Sequence, residues 1–238
     1  MKSKQAVLFD LDDTLIDYQH SRRRGLRAVQ ELLPGLAPVP LEELELVHDE
    51  ELHANFLRTL AGDLSDDEAR IERIGGICRR YGIEADKRAV AETAVAYARE
   101  QLSNVRLVPG VSELLHALRG RVKIGVITNG PSAQQRDKLK RCDIDPGDLD
   151  VLAISEEVGT TKPDPVIFRY ALDDLGVPPG QVTMVGDSWE HDVLPALGGG
   201  MAAVWLNRYR RICPKPGLAA EIRRLEPLED VLEMLGVE

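Results

Sequence analysis

Apolar residues gather in five short runs along the chain: Ala6–Phe9, Val122–Ile127, Val151–Ile154, Val182–Val185 and Ala202–Leu206. Each is bounded by polar residues or glycine, the pattern of strands buried on both faces of a parallel sheet. Between the later runs the apolar spacing changes to that of helices, over Ala133–Arg141, Pro165–Leu175 and His191–Leu197. Strand and helix in alternation predict βαβ crossovers and a doubly wound, Rossmann-like parallel sheet in an α/β protein. Asp164 before Pro165 marks one helix start, because the aspartate caps it and proline at the first helical position gives up only an N–H with no helical partner. Gly198, Gly199 and Gly200 lack a GxGxxG frame and predict a turn before the last strand.

From Asp17 to Val108 the strand pattern stops. Helical spacing runs through Ser21–Leu33, Leu41–Leu60, Asp66–Tyr81 and Lys87–Leu102. Ser65-Asp66-Asp67-Glu68 has the form of a capping box, and Gly35–Pro40 reads as a connecting loop. The prediction is an all-helical cap domain of residues 17–108, inserted after the first strand of a core built from residues 1–16 and 109–238.

The 238 residues carry 30 Lys plus Arg against 40 Asp plus Glu, a formal charge of -10. Such a balance argues against a nucleic acid polymer or an anionic membrane as partner, and any anionic ligand needs local positive charge. Cys78, Cys142 and Cys213 lie far apart with no CxxC pair, as in a reducing compartment. Met1–Lys4 runs into Ala6–Phe9 without the pattern of a signal peptide. The weakly polar stretch Val193–Leu206 is broken by Pro195 and Gly198–Gly200, short of the ~20 apolar residues a bilayer requires. The expected location is the cytoplasm. No heptad seam favours one assembly state, so monomer and homodimer both stay open.

Ligands of open parallel sheets collect outside the carboxyl ends of the strands. After the first predicted strand comes Asp10-Leu11-Asp12-Asp13-Thr14, and after the second Thr128-Asn129-Gly130. Beyond the third lies Lys162-Pro163-Asp164, and after the fourth Gly186-Asp187-Ser188, with Asp192 further on. Carboxylates brought together repel one another and call for a cation. A hard divalent ion such as Mg²⁺ takes oxygen ligands and shares them with substrate phosphate, with Asp10 and Asp187 suited as direct ligands. Lys162, the Thr128 hydroxyl and amides at a helix start then suit the remaining oxygens of a tetrahedral dianion, a phosphate. The Asp-x-Asp spacing allows a division of labour: Asp10 attacks and forms an acyl phosphate, while Asp12 gives and takes the proton.

These motifs, in this order and at these strand ends, resemble those of the haloacid dehalogenase superfamily, in the phosphatase branch with a helical cap after the first strand. The resemblance implies a nucleophile and metal ligand at Asp10. It makes Asp12 the general acid/base, with a backbone carbonyl on the metal, and gives phosphoryl binding to Thr128, Asn129 and Lys162. It further implies Asp187 on Mg²⁺ and Asp192 on the same ion directly or through water. Dehalogenase members carry no acid at the place of Asp12, so its presence favours phosphate chemistry. Gln134, Gln135, Lys138 and Leu139 after the second motif are similar to nucleotide and N-acylneuraminate 9-phosphate phosphatases. The expected function is Mg²⁺-dependent hydrolysis of a small phosphate ester. A phosphomutase and a non-catalytic phosphate-binding protein are the alternatives.

Other residues read as structural. Asp13 is expected to point away from the chemistry, and Asp17 and Asp164 to cap helices. Arg22, Arg23, Arg24 and Arg27 cannot all aim one way from a helix and are expected on a solvated face, an approach of one of them, or of Tyr18 or His20, to substrate being the alternative. His48, His53 and His116 lack ligand spacing, and His191 flanks Asp192.

Overall fold

The computed structural model describes residues 3–237, the side chains of Leu57 and Leu60 excepted. The chain divides into two compact units, Met1–Asp17 with Arg106–Glu238, and Tyr18–Val105.

After β1 (Ala6–Phe9) the chain enters the helical unit, made of α1 (Tyr18–Leu32), α2 (Leu41–Leu60), α3 (Asp66–Arg80) and α4 (Lys87–Ser103). Leu26, Val29, Leu44, Val47, Ile74, Ile77, Ala94 and Tyr97 from the four helices close its core. Burying side chains of the larger kinds contributes roughly 1.5–3 kcal/mol each. Gly25 lets α1 and α4 approach, since a Cβ there would stand 2.8 Å from the Tyr97 ring. The capping box forms as predicted: the Ser65 hydroxyl accepts from the Glu68 amide and the Glu68 carboxylate accepts from the Ser65 amide.

The expected solvated arginine face is corrected in part. Arg24 and Arg27 are exposed, but Arg22 turns inward with only 12 % of its side chain accessible. Its Nη1 donates to both oxygens of Asp49 at 2.8 and 2.9 Å and its Nη2 to Glu45 at 3.1 Å, while Arg23 takes the other Glu45 oxygen. Such pairing is the condition for burying a guanidinium.

The other unit contains α5 (Val111–Leu118), β2 (Lys123–Thr128), α6 (Ser132–Arg141), β3 (Val151–Ile154), α7 (Ser155–Val158), α8 (Pro165–Leu175) and β4 (Val182–Gly186). A π-helical turn at Trp189–Val193 leads into α9 (Leu194–Gly198), followed by β5 (Ala202–Leu206), β6 (Ala220–Ile222) and α10 (Leu228–Leu235). All strand pairs are parallel, in the order β3-β2-β1-β4-β5-β6. The chain moves outward from β1 through β2 to β3, then crosses back to β4. That reversal beside β1 is the topological switch point, where a crevice opens at the carboxyl ends. Leu8 sits opposite Gly125 of β2 and Met184 of β4. A Cβ on Gly125 would lie 2.6 Å from Leu8 Cδ2 and 2.3 Å from Val151 Cγ1, so glycine makes room for both side chains.

The helix expected over His191–Leu197 is instead the π-helical turn running into α9, because the Ser188 hydroxyl caps the His191 amide and starts the turn earlier. The glycine-rich turn leads to β5, and the sheet's last strand is β6, a three-residue edge strand without a fully buried residue. Asp164 caps α8, accepting from the Val166 amide at 2.8 Å. Asp17 precedes α1 but serves as an ion-pair hub: Oδ2 accepts from Arg106 at 2.6 Å and Oδ1 from Arg208 at 3.0 Å. Among the described residues no helix is long and apolar enough to cross a membrane.

One buried group ties the helical unit's stability to pH. His48 of α2 is fully buried, its ring centroid 5.2 Å from that of Tyr97, with Nδ1 3.4 Å from Asp49 Oδ1 and Nε2 3.3 Å from Arg73 Nη1. That network suits a neutral ring, Nδ1–H donating and Nε2 accepting. Burial, reinforced by Arg73 and Arg22, lowers its pKa from 6.5 to about 4. Between those values the unfolded chain binds the proton that the folded chain refuses, so stability falls as pH drops from 6.5 towards 4. In thermal melts from pH 7 to 4.5, His48→Phe is expected to lack the acid destabilisation that His48 contributes, so the parent's melting temperature falls relative to the variant's as pH drops. An equal slope in parent and variant would remove His48 from that role.

Candidate active site

Asp10 is the first residue beyond β1, and its amide still donates to Val185 of β4 at 2.9 Å. The strand ladder thus fixes its backbone while its side chain lies at the carboxyl edge, 6 % exposed. Asp187 follows Gly186, the last residue of β4, and its carbonyl accepts from Trp205 Nε1 at 2.8 Å. Asp192 comes from the π-helical turn and lies over Gly186, where a Cβ would meet its carboxylate at 2.3 Å. Glycine at the end of β4 is therefore what lets the Asp192 carboxylate lie there.

Lys162 joins these groups. Its Nζ donates to Asp10 Oδ1 at 2.5 Å and to Asp192 Oδ1 at 2.7 Å, and it is 4 % exposed. The second Asp192 oxygen accepts from the Ser188 amide at 3.0 Å. Burial works against a charged lysine, yet the two carboxylates outweigh it and hold Lys162 protonated, its pKa above the ordinary value. Burial pushes the Asp10 carboxyl up to about 7; Lys162 pulls it back, while Asp192 and Asp12 push it further. Asp187 is raised well above a usual carboxylate by burial, then by Asp10, Asp192 and Asp13, against the opposing Arg211.

The balance of charge is incomplete. Asp10, Asp187 and Asp192 each offer an oxygen within 4.8 Å of the others, and against these three carboxylates stand the Lys162 ammonium and, 3.6 Å from Asp187, the exposed Arg211. Among the described residues Asp10 Oδ2 is buried without a hydrogen-bond partner. An all-oxygen donor set with an orphaned carboxylate oxygen fits a hard divalent cation such as Mg²⁺. No other group of three or more His, Cys, Asp or Glu residues among the described ones has this arrangement, and His48, His53, His116 and His191 lie outside it.

Thr128 ends β2 with its Oγ1 accepting from Gln135 Nε2 at 2.6 Å. The Asn129 side chain is committed to the peptide of Lys162: Oδ1 accepts from its amide at 2.8 Å and Nδ2 donates to its carbonyl at 3.0 Å. Its contribution is thus to hold Lys162 in place, and its carbonyl accepts from Gln135 Nε2 at 2.8 Å. Asp12 points its carboxylate at α6, accepting from Lys138 Nζ at 2.8 and 2.7 Å and from Gln135 Nε2 at 3.1 Å. Asp13 adopts a left-handed φ of 62° and accepts from the Tyr209 hydroxyl at 2.8 Å, with Arg208 3.5 Å away. It shapes the turn, and its charge still reaches Asp187.

Two participants carry no signal in the sequence. Arg211 stands 3.6 Å from Asp187 Oδ2, and Trp205 anchors the Asp187 backbone. Gln135 and Lys138 drew notice only through a resemblance; that both are buried against Asp12 has no signature in a helix whose residues are nearly all polar.

The sequence model of the haloacid dehalogenase-like hydrolases matches residues 4–200. The pyrimidine 5'-nucleotidase YjjG of Escherichia coli K12 is 44% identical over 128 residues, covering 52% of this chain and 56% of that protein. The N-acylneuraminate-9-phosphatase of Mus musculus is 33% identical over 219 residues, covering 87% of this chain and 84% of its own. Among solved structures, the HAD-hydrolase YfnB of Bacillus subtilis bound to magnesium superposes with a TM-score of 0.74 at 25% identity, covering 98% of this chain and all of that one. By its sequence match and its fold, the chain belongs to the haloacid dehalogenase-like hydrolases.

Proposed function

We propose that the protein hydrolyses a phosphate monoester of a small metabolite, with Asp10 as nucleophile and Mg²⁺ as cofactor. The carrying observation is the state of Asp10: buried, bonded through Oδ1 to Lys162, and left with an unpartnered Oδ2 beside Asp187 and Asp192. Asp10, the Asp12 carbonyl, Asp187 and Asp192 would hold the metal ion, which when bound offsets the charge of the carboxylates and of the phosphoryl group.

The residues divide the remaining work. An Asp10 carboxylate oxygen attacks phosphorus, the bond to the ester oxygen breaks, and Asp12 delivers a proton to that leaving oxygen. Asp12 then takes a proton from water, whose oxygen attacks the phosphorus of the aspartyl phosphate; the bond to Asp10 breaks and inorganic phosphate leaves. Lys162 and the Thr128 hydroxyl hold the non-bridging oxygens throughout, and Asn129 keeps Lys162 in register. The acidic chain favours a small ester over a polymer, and relatives named as a nucleotidase and a sugar-acid phosphatase support nucleotides and sugar phosphates as first candidates.

Phosphate release from an aryl phosphate, nucleotides and sugar phosphates is expected with Mg²⁺, and to be lost with chelator or in Asp10→Asn. Release that survives Asp10→Asn would defeat the mechanism. Asp12→Asn should lower turnover by ~10² to 10⁴ while leaving Mg²⁺ affinity little changed, because only the Asp12 main-chain oxygen is assigned to the ion. Asp187→Ala should weaken Mg²⁺ binding itself in calorimetry; affinity equal to the parent's would contradict the coordination scheme.

A further inference from the structure

We propose that Gln135 and Lys138 of α6 are positioning residues that hold the Asp12 carboxylate and the Thr128 hydroxyl as one assembly, so that a single helix aligns the general acid/base and the phosphate-binding hydroxyl. The inference rests on the phosphatase reading above.

The burial of these side chains is the first observation. Gln135 is 1 % exposed and Lys138 7 %, in a helix of otherwise polar residues whose buried face consists of Gln135, Lys138 and Leu139. The i, i+3 and i+4 spacing puts them on one side of α6. Lysine is among the residues least often buried without a partner, and here the partner is Asp12: Nζ lies 2.8 and 2.7 Å from its two oxygens. A contact to both oxygens fixes the direction of the carboxylate plane as well as its place.

Gln135 supplies the connection. Its amide nitrogen carries two hydrogens and meets three acceptors, Thr128 Oγ1 at 2.6 Å, the Asn129 carbonyl at 2.8 Å and Asp12 Oδ2 at 3.1 Å. Because Thr128 accepts from Gln135, its own hydroxyl proton is left to donate to another acceptor, as a phosphoryl oxygen requires. Asn129 carries the link onward, since its side chain grips the Lys162 peptide. Gly130, with φ at 138°, leaves the space that Gln135 occupies: a Cβ there would stand 3.2 Å from Nε2. Asp12 from the end of β1, Thr128 from the end of β2 and Lys162 beyond β3 are thus coupled through one side chain of α6.

The test compares the parent with Lys138→Met, Lys138→Arg and Gln135→Leu, each checked for folding by its melting curve. Turnover of a phosphate ester with Mg²⁺ and binding of inorganic phosphate by calorimetry are the readouts. Lys138→Met is expected to lower kcat by ~10- to 100-fold with KM changed by less than about threefold, the size expected when a reacting group is misplaced by about 1 Å. Lys138→Arg, which keeps a cation able to reach both Asp12 oxygens, should recover most of that loss. Gln135→Leu should raise KM and weaken inorganic phosphate by about tenfold, since Thr128 is no longer obliged to present its proton. Should Lys138→Met not fold, Lys138→Gln carries the same comparison. Parent-like kcat in a folded Lys138→Met, an equal loss in Lys138→Arg, or parent-like phosphate affinity in Gln135→Leu would each overturn the proposal. If the parent hydrolyses no ester, the functional reading falls separately. The phosphate affinity of Gln135→Leu, and the place of the Asp12 carboxylate in a crystal structure of Lys138→Met, then still decide the inference.

Discussion

A single lysine buried among carboxylates governs this molecule. Lys162 holds Asp10 and Asp192 at 2.5 and 2.7 Å where little water reaches, and without it those acids would repel one another at close range. Lys162, with Arg211 at 3.6 Å from Asp187, leaves two cations for the three carboxylates of Asp10, Asp187 and Asp192, and Asp10 Oδ2 is left with no partner among the described residues. The unmet negative charge is the physical basis for the cation in the proposed reaction, and the cation with Lys162 would in turn let a negatively charged phosphoryl group approach. Neutralising the site completely within the chain would leave it nothing with which to bind that cation.

Much of the surrounding structure keeps that imbalance in place. The parallel ladder fixes Asp10 through its amide, the Trp205 indole fixes the carbonyl of Asp187, and Asn129 fixes the peptide of Lys162. Gly186 contributes by having no side chain, because the Asp192 carboxylate fills the place of its Cβ. The turn after β1 is braced in turn by Tyr209 on Asp13 and Arg208 on Asp17, so the segment following β5 stabilises the backbone from which Asp12 projects. The Asp10 amide belongs to the strand ladder and Trp205 to β5, while Asn129, Arg208 and Tyr209 act from the turns directly after β2 and β5; fixed partners of this kind are what preorganised electrostatics demands.

The helical unit meets a related constraint with a different outcome. Arg22 is buried there with Glu45 and Asp49 at hydrogen-bonding distance, so its charge is met within the bundle. His48 follows the other course and stays neutral, its pKa lowered to about 4. The charges of Arg22 and His48 are therefore paired or discharged, whereas the carboxylates at the sheet edge are left partly uncompensated. The contrast separates charges met within the fold from the carboxylates to which the proposed reaction assigns its chemistry.

The sequence by itself determined the kind of sheet and which carboxylate and hydroxyl side chains stand along its edge. Runs buried on both faces read as parallel strands, and Asp10, Thr128 and Asp187 stand directly at their ends, so local order along the chain carried that information. Four helices of the insertion were legible for the same reason, their apolar spacing being local. The edge strand β6 was not, because three residues without a fully buried side chain carry no period. Nor were the partners of buried charges. Asp17 meets Arg106 and Arg208 from 89 and 191 residues away, and Lys138 meets Asp12 from 126 away. A polar residue bound for the interior has the same local pattern as one bound for water, so only the tertiary structure decided which polar side chains of α1 and α6 turned inward and which charges they met.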